Sequence, residues 1–401
     1  MYKLRAGERG GNSMRYNFDQ IIDRHNTYST QWDYTKDRFG SDDVLPFSIS
    51  DTDFQVPNEI LDSMNKRLEH PIFGYTRWNH QDYKNSIIQW FEDDGITKVD
   101  EDWIVYSPRV VYTIGTLIRE LTDEGDGVAT FIPMYDAFFN TIEANGRQLL
   151  PIKIKGKEEF DQIDWDTLET VLSQKQTKIF LLTNPHNPTG HLFTKEELIK
   201  IVEVCQRNHV FIISDDIHRD LLVREGQSYI PITDITDRDV ALCCSSTKIF
   251  NTPGLIGAYA FIPDLELRDK YLKNLKQKDA LSSASILGIE SMMAGYMGSK
   301  DYVIELREYL RDNYEILAKF LRKEFPEIKF EIPDATYLAW INISELTMTA
   351  EELQDRLVNN GKVGIMSGKV YGDSRYIRMN VGCPKTKLVE GLKRMKEALH
   401  S

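Results

Sequence analysis

Between Gly127 and Cys243 the chain alternates apolar runs of strand length with segments of helical period, and this alternation limits the possible folds more than any other feature. Gly127 to Phe131, Lys178 to Leu182, Val210 to Ile213 and Val240 to Cys243 read as strands, with Phe138 to Ala144 and Lys195 to Cys205 as helices between them. Such a succession builds a mostly parallel sheet with helices packed on its faces. Open sheets of this class bind ligands beyond the carboxyl ends of their strands, so the segments just after the strands are where function is expected. Upstream, Ile60 to Leu68 (after Pro57), Tyr83 to Phe91 and Tyr112 to Leu121 have helical spacing, and Trp103 to Tyr106 reads as a short strand. Asn17 to Asp53 is aromatic and mixed in charge, with little periodicity, and reads as an arm laid over other structure. After Ser299 the pattern changes to a long helix, Tyr302 to Phe325. Ile328 to Ile332, Tyr337 to Ile343 and Tyr376 to Asn380 follow as strands, and a closing helix covers Lys387 to Leu399. That change marks a second, smaller domain.

At 401 residues the chain can bury a large core, and its length alone suggests two or three domains. A net charge of -13 argues against nucleic acid or an anionic membrane as partner, so an anionic ligand has to meet local positive charge. The cysteines Cys205, Cys243, Cys244 and Cys383 lack C-x-x-C spacing, which indicates neither a metal site nor a disulfide framework and fits a reducing cytoplasm. No apolar run approaches the roughly 18 residues of a membrane span. Met1 to Ser13 is rich in Gly and Arg without an apolar stretch, and is expected to be a disordered extension rather than a signal peptide.

The strand-like run Val240 to Cys243 leads into Cys244-Ser245-Ser246-Thr247-Lys248, where an amine follows three small polar residues. A lysine placed there suits covalent chemistry if burial or nearby positive charge lowers its pKa, because only the neutral amine attacks a carbonyl. Ser245 and Thr247 could hold a phosphate. A lone S-x-x-K is weak evidence, since a surface lysine after a strand gives the same pattern. Ser107-Pro108-Arg109-Val110-Val111 supplies a second site for an anion, a strand–turn–helix junction with unpaired backbone N–H groups.

Three stretches in order, Asn184-Pro185-His186-Asn187-Pro188-Thr189-Gly190, Phe211 to His218 and the Lys248 segment, resemble the pyridoxal-phosphate (PLP) enzymes of fold type I, the aspartate-aminotransferase-like α/β fold. Gln31-Trp32-Asp33-Tyr34, Ile49 to Phe54, Phe73 to Trp78, Thr336 to Trp340 and Tyr376 to Asn380 narrow this to a similarity with the MalY/PatB-type cystathionine β-lyases, or C–S lyases. The resemblance runs from about Tyr16 to the C-terminus. It implies a large domain, 61–295, with a mostly parallel seven-stranded sheet. A smaller α+β domain, 296–401, would be joined by an N-terminal extension and arm, 1–60.

The resemblance makes Lys248 the Schiff-base lysine and Asp215 the partner of the pyridinium nitrogen. Asp215 could otherwise be a helix cap, although Asp216 could do that capping. Asn187 would hydrogen-bond the phenolic oxygen of the ring, with Tyr135 stacked on its face. His218 either lies near that oxygen or serves structure. The turn Pro108-Arg109-Val110, with Ser245 and Thr247, would hold the phosphate; Arg109 stands where a small residue is usual, so backbone groups are expected to carry the contact. Ile256 occupies a position that commonly carries a phosphate-binding arginine. Arg378 matches the carboxylate clamp, with Tyr337 beside it in the substrate site. Tyr75 would reach the phosphate from a neighbouring subunit, giving a homodimer with shared active sites, or else pack locally beside Trp78. His218-Arg219-Asp220-Leu221 spells the start of a kinase catalytic loop by accident, because Glu225 stands where the asparagine should be.

The implied activity is α,β-elimination of cystathionine or related L-cysteine S-conjugates to a thiol, pyruvate and ammonia, with PLP as cofactor. Amino transfer would use the same lysine, aspartate and arginine. A regulatory protein keeping the fold is the remaining alternative, and the filled catalytic positions speak against it.

Overall fold

The computed structural model describes residues 15–156 and 162–400. The proposed extension before Met14 lies outside them. Twelve strands are present among the described residues: β1 (Leu45–Pro46), β2 (Ile104–Ser107), β3 (Gly127–Ile132), β4 (Gln148–Lys153), β5 (Thr177–Thr183), β6 (Phe211–Asp215), β7 (Val240–Cys244), β8 (Ala258–Phe261), β9 (Leu338–Asn342), β10 (Val363–Gly364), β11 (Met366–Ser367) and β12 (Tyr376–Asn380). The main sheet has the order β2-β8-β7-β6-β5-β3-β4, and only β8 runs against its neighbours.

The continuous apolar runs read from the sequence are the central strands, buried on both faces because helices cover the sheet. Helix Val110–Leu121 turns Val110, Ile114, Leu117 and Ile118 inward. Each such side chain contributes on the order of 1.5–3 kcal/mol by leaving water.

β4 lacks an apolar run because it is an edge strand: it pairs only with β3, only Ile152 of its residues is buried, and Pro151 gives up a ladder donor there at little cost. The expected strand Ile328 to Ile332 does not form. Pro326 and Pro333 bracket it, and only Lys329 makes an isolated bridge, to Asn342.

The C-terminal part holds the antiparallel sheet β11-β12-β9. The arm joins it through β1, which pairs in parallel with β10. From there the chain continues as an extended strap, Ser48 to Phe54, tied from both sides. The Asn380 amide donates to the carbonyls of Ile49 and Asp51, each at 2.6 Å, and the Asn251 amide donates to those of Thr52 (2.9 Å) and Phe54 (3.0 Å). Arg24 pairs with Asp51 and Asp53 at 2.8 and 2.9 Å, and Lys387 with Asp53 at 2.5 Å. Among the described residues no helix is long and apolar enough to cross a membrane.

Candidate active site

Register sets the site. Thr183 at the end of β5 lies beside Asp215 at the end of β6, and Asp215 beside Cys243 in β7. The Asn187 loop, Asp215 and the Lys248 segment therefore leave the same edge of the sheet side by side, as the position of ligand sites in open α/β sheets requires. β3 delivers Tyr135 there, and β2 delivers the turn Pro108-Arg109-Val110. A cleft with about 750 Å³ of unfilled space collects ten of the expected residues: Lys248, Asp215, Asn187, Tyr135, His218, Ser245, Thr247, Pro108, Arg109 and Val110.

The Lys248 amine donates to the Ser50 carbonyl at 2.5 Å, and the Tyr337 hydroxyl donates to the same oxygen at 3.1 Å. Burial lowers the Lys248 pKa to about 8; Arg378 and Arg109 push the same way, against Asp51 and Asp215. Burial raises Asp215 to about 7, opposed by the Ile217 N–H, which donates to its carboxylate at 3.1 Å, and by Lys248. His218 is held well below the ordinary imidazole range by burial first and then by the charges of Lys248 and Arg378, so it is neutral at physiological pH. Behind it, Arg219 points into the core, pairing with Asp94 at 2.6 Å and lying 3.9 Å over the Phe91 ring, so the kinase-like stretch is structural.

Arg378 is buried at the rim. Its Nη1 donates to the Asn187 side chain at 3.2 Å and its Nη2 to the Ser48 carbonyl at 3.1 Å. The Asn187 loop is braced by Gly190 (φ +70°), where a Cβ would come 2.5 Å from Pro333 and 2.7 Å from the Ala335 carbonyl. At the opposite end Ser245 Oγ donates to the Gly257 carbonyl at 2.6 Å and accepts from the Thr247 hydroxyl at 2.9 Å. The first N–H groups of helix Val110–Leu121 have no intrahelical partner there. Arg109 makes no side-chain cap to that helix, and Ile256 lines the cleft without a charge.

Tyr75 is the expected site residue that the fold does not bring in: it is 100% exposed and lines no part of the cleft within one chain. Sequence reading gave no role to Ser50. Its contribution is a carbonyl, which no residue-type pattern reports.

PLP fits these residues. The buried atoms His218 Nδ1, Ser50 Oγ and Arg378 Nε have no hydrogen-bond partner among the described residues, and Asp215 is a buried carboxylate lacking full charge compensation. A protonated ring nitrogen would supply that compensation, and the small hydroxyls with the helix N-terminus suit a phosphate.

The aminotransferase class I and II family model matches residues 42–395. The chain belongs to this family. It is 40% identical to protein MalY of Escherichia coli K12 over 94% of this chain and 97% of MalY. Against the cystathionine β-lyase PatB of Bacillus subtilis it is 34% identical, over 96% of this chain and all of PatB. Among solved structures, the PLP-bound C–S lyase of Staphylococcus hominis superposes with a TM-score of 0.89 at 27% identity, covering 98% of this chain and 100% of that one. For this member of the family the likeness to these relatives thus extends over nearly the whole chain, in sequence and in fold.

Proposed function

We propose that this protein is a PLP-dependent carbon–sulfur lyase that converts cystathionine, or a related L-cysteine S-conjugate, to a thiol, pyruvate and ammonia. The observation that carries the reading is a part-buried lysine amine of lowered pKa, set in one cleft with the raised Asp215 carboxylate and with Asn187, whose side chain accepts from the Arg378 guanidinium. The lyase relatives select elimination over amino transfer.

When bound, PLP supplies an aldehyde that captures an amino group and a ring that takes up the electron pair left when a bond to Cα breaks. Lys248 provides the amine for that capture and, once freed, the base for the Cα proton; a pKa near 8 leaves a useful neutral fraction at physiological pH. Asp215 holds the proton on the ring nitrogen. Asn187 and neutral His218 would lie towards the phenolic oxygen, Tyr135 would cover the ring, and Ser245, Thr247 and the Pro108-Arg109-Val110 turn would receive the phosphate. Arg378, with Tyr337 beside it, clamps the α-carboxylate, which leaves the Cα–H bond as the one to break.

A homodimer completes this reading. Ile72, Phe73 and Tyr75 form an apolar and aromatic strip, 65%, 56% and 100% exposed, which supports Tyr75 reaching the partner's cleft. The pairing of β1 with β10 supports a division into 1–60, 61–295 and 296–401 with the arm joined to the smaller domain. Four buried, free cysteines support a cytoplasmic location.

The test is product stoichiometry with cystathionine. Homocysteine, pyruvate and ammonia in equal amounts, with borohydride fixing the cofactor on Lys248, are expected. Turnover that needs an added keto acid and yields no ammonia would make the protein an aminotransferase.

A further inference from the structure

The strap from Ser48 to Phe54 carries the Ser50 carbonyl that holds the Lys248 amine at 2.5 Å. Covalent geometry fixes what stands next to it. The Asp51 Cα follows that carbonyl across one trans peptide, which puts it within about 5.5 Å of the amine. A carboxylate so near favours the charged form of an amine, whereas capture of an aldehyde needs the neutral one. Burial lowers the Lys248 pKa and Asp51 opposes it; Arg378 and Arg109 act with burial, and Asp215 with Asp51. Neutral His218 and the Tyr337 hydroxyl, which shares the Ser50 oxygen, complete the titratable groups around the amine.

Arg24, from the start of the arm, closes on this carboxylate. Its Nη1 donates to Asp51 Oδ1 at 3.1 Å and its Nη2 to Oδ2 at 2.8 Å, a two-pronged pair with side chains only 19% and 14% exposed. The same Nη1 reaches the Thr52 carbonyl at 3.0 Å and Asp53 at 2.9 Å. Asp53 also has Lys387 and the Trp32 indole N–H, at 2.5 and 2.8 Å, but Asp51 has no second ion-pair partner among the described residues. The strap does not hang on Arg24 alone. Gln31 accepts the Ile49 N–H at 3.0 Å, Asn251 accepts the Thr52 N–H at 3.0 Å, and the amides of Asn380 and Asn251 hold four of its carbonyls. What Arg24 supplies beyond these bonds is a positive charge at Asp51.

We propose that Arg24 is a positioning residue for the reaction: by pairing with Asp51 it cancels the one carboxylate of the strap that adjoins the Ser50 carbonyl, and so leaves Lys248 free to act as a neutral amine. The proposal rests on the lyase reading above in taking Lys248 as the residue that binds PLP. An arm remote in sequence from the cleft thereby sets the charge state of its nucleophile.

The visible absorption of holoenzyme reports whether the Lys248 nitrogen joined to the cofactor carries a proton, so its pH titration measures this charge without turnover. Arg24→Gln uncovers the Asp51 charge and should move the midpoint up by about one pH unit, the low end for a charge at this range. Asp51→Asn leaves Arg24 unpaired and should move it down. The double variant should return close to wild type, and Arg24→Lys, which keeps the charge, should stay there. A midpoint unmoved by Arg24→Gln, shifts of the same sign in both single variants, or a double variant as displaced as Arg24→Gln overturns the proposal. A mere brace for the arm would give the first of these, with lost thermal stability in its place. Failure of the lyase reading is a different signal, cystathionine turnover without pyruvate, and it does not move these midpoints.

Discussion

Arg378 donates to the side-chain oxygen of Asn187 at 3.2 Å, joining β12 of the smaller sheet to the loop after β5 of the main one. The residue proposed to grip the substrate thus touches the residue proposed to face the cofactor ring, and a change at one is felt at the other.

Replacing Arg378 by Ala removes two charged hydrogen bonds to a carboxylate, each worth about 1.5–3 kcal/mol. The KM for cystathionine should rise roughly a hundredfold or more, while the dissociation constant of PLP changes by less than about tenfold. Equal loss of both affinities would make Arg378 a structural brace for Asn187.

The raised pKa of Asp215 predicts a trade between stability and function. Its folded value is about 7, against about 4 for an ordinary carboxylate. Without cofactor the folded chain therefore keeps a proton that the unfolded chain has lost, and this contribution to stability fades as pH rises towards and through 7. Asp216, raised by burial to about 7, acts in the same sense. Cofactor-free Asp215→Asn should melt a few degrees above wild type at pH 8, with the gap closing near pH 4, while the reloaded variant loses most of its activity. Calorimetry at the two pH values checks the sign; a variant less stable at pH 8 than wild type would contradict it.

Gly190→Ala should be costly for two reasons that add. A side chain at φ +70° strains the backbone, and its Cβ would meet Pro333 and the Ala335 carbonyl at 2.5 and 2.7 Å. A loss of roughly 2–5 kcal/mol in denaturant titrations is expected. Lyase activity should fall further than the folded fraction explains, because the same loop positions Asn187.

Subunit mixing decides where Tyr75 acts. A heterodimer of Tyr75→Phe and Lys248→Ala chains contains one wholly wild-type site if Tyr75 crosses the interface, and none if it serves its own chain. Activity should therefore reappear on exchange. Mass-spectrometrically verified heterodimers no more active than the parent variants would end the shared-site proposal.

What the sequence made legible follows from where each signal is carried. β3, β5, β6 and β7 are legible as continuous apolar runs because both of their faces are covered, and the segments of Lys248, Asp215 and Asn187, on which the resemblance rests, meet in one cleft. β4, an edge strand interrupted by Pro151, lacks the run, and Ile328 to Ile332 has a strand-like pattern but no partner beyond Lys329. Ser50 contributes a carbonyl, so its identity says nothing about its role.

The single reversed strand of the main sheet constrains how this chain can change length. Because β8 runs antiparallel beside β7, the connection between them, from Ser245 to Gly257, needs no crossover helix and is fixed at both ends to neighbouring strands. Lys248 rides on that short excursion, so one added residue within it would move the amine relative to Ser50. Around Gly226, exposed and with nothing within 4 Å of an added Cβ, the longer connection between β6 and β7 could accept an insertion without passing it on to the cleft. Length variation in proteins built on this plan should collect in the second connection and avoid the first.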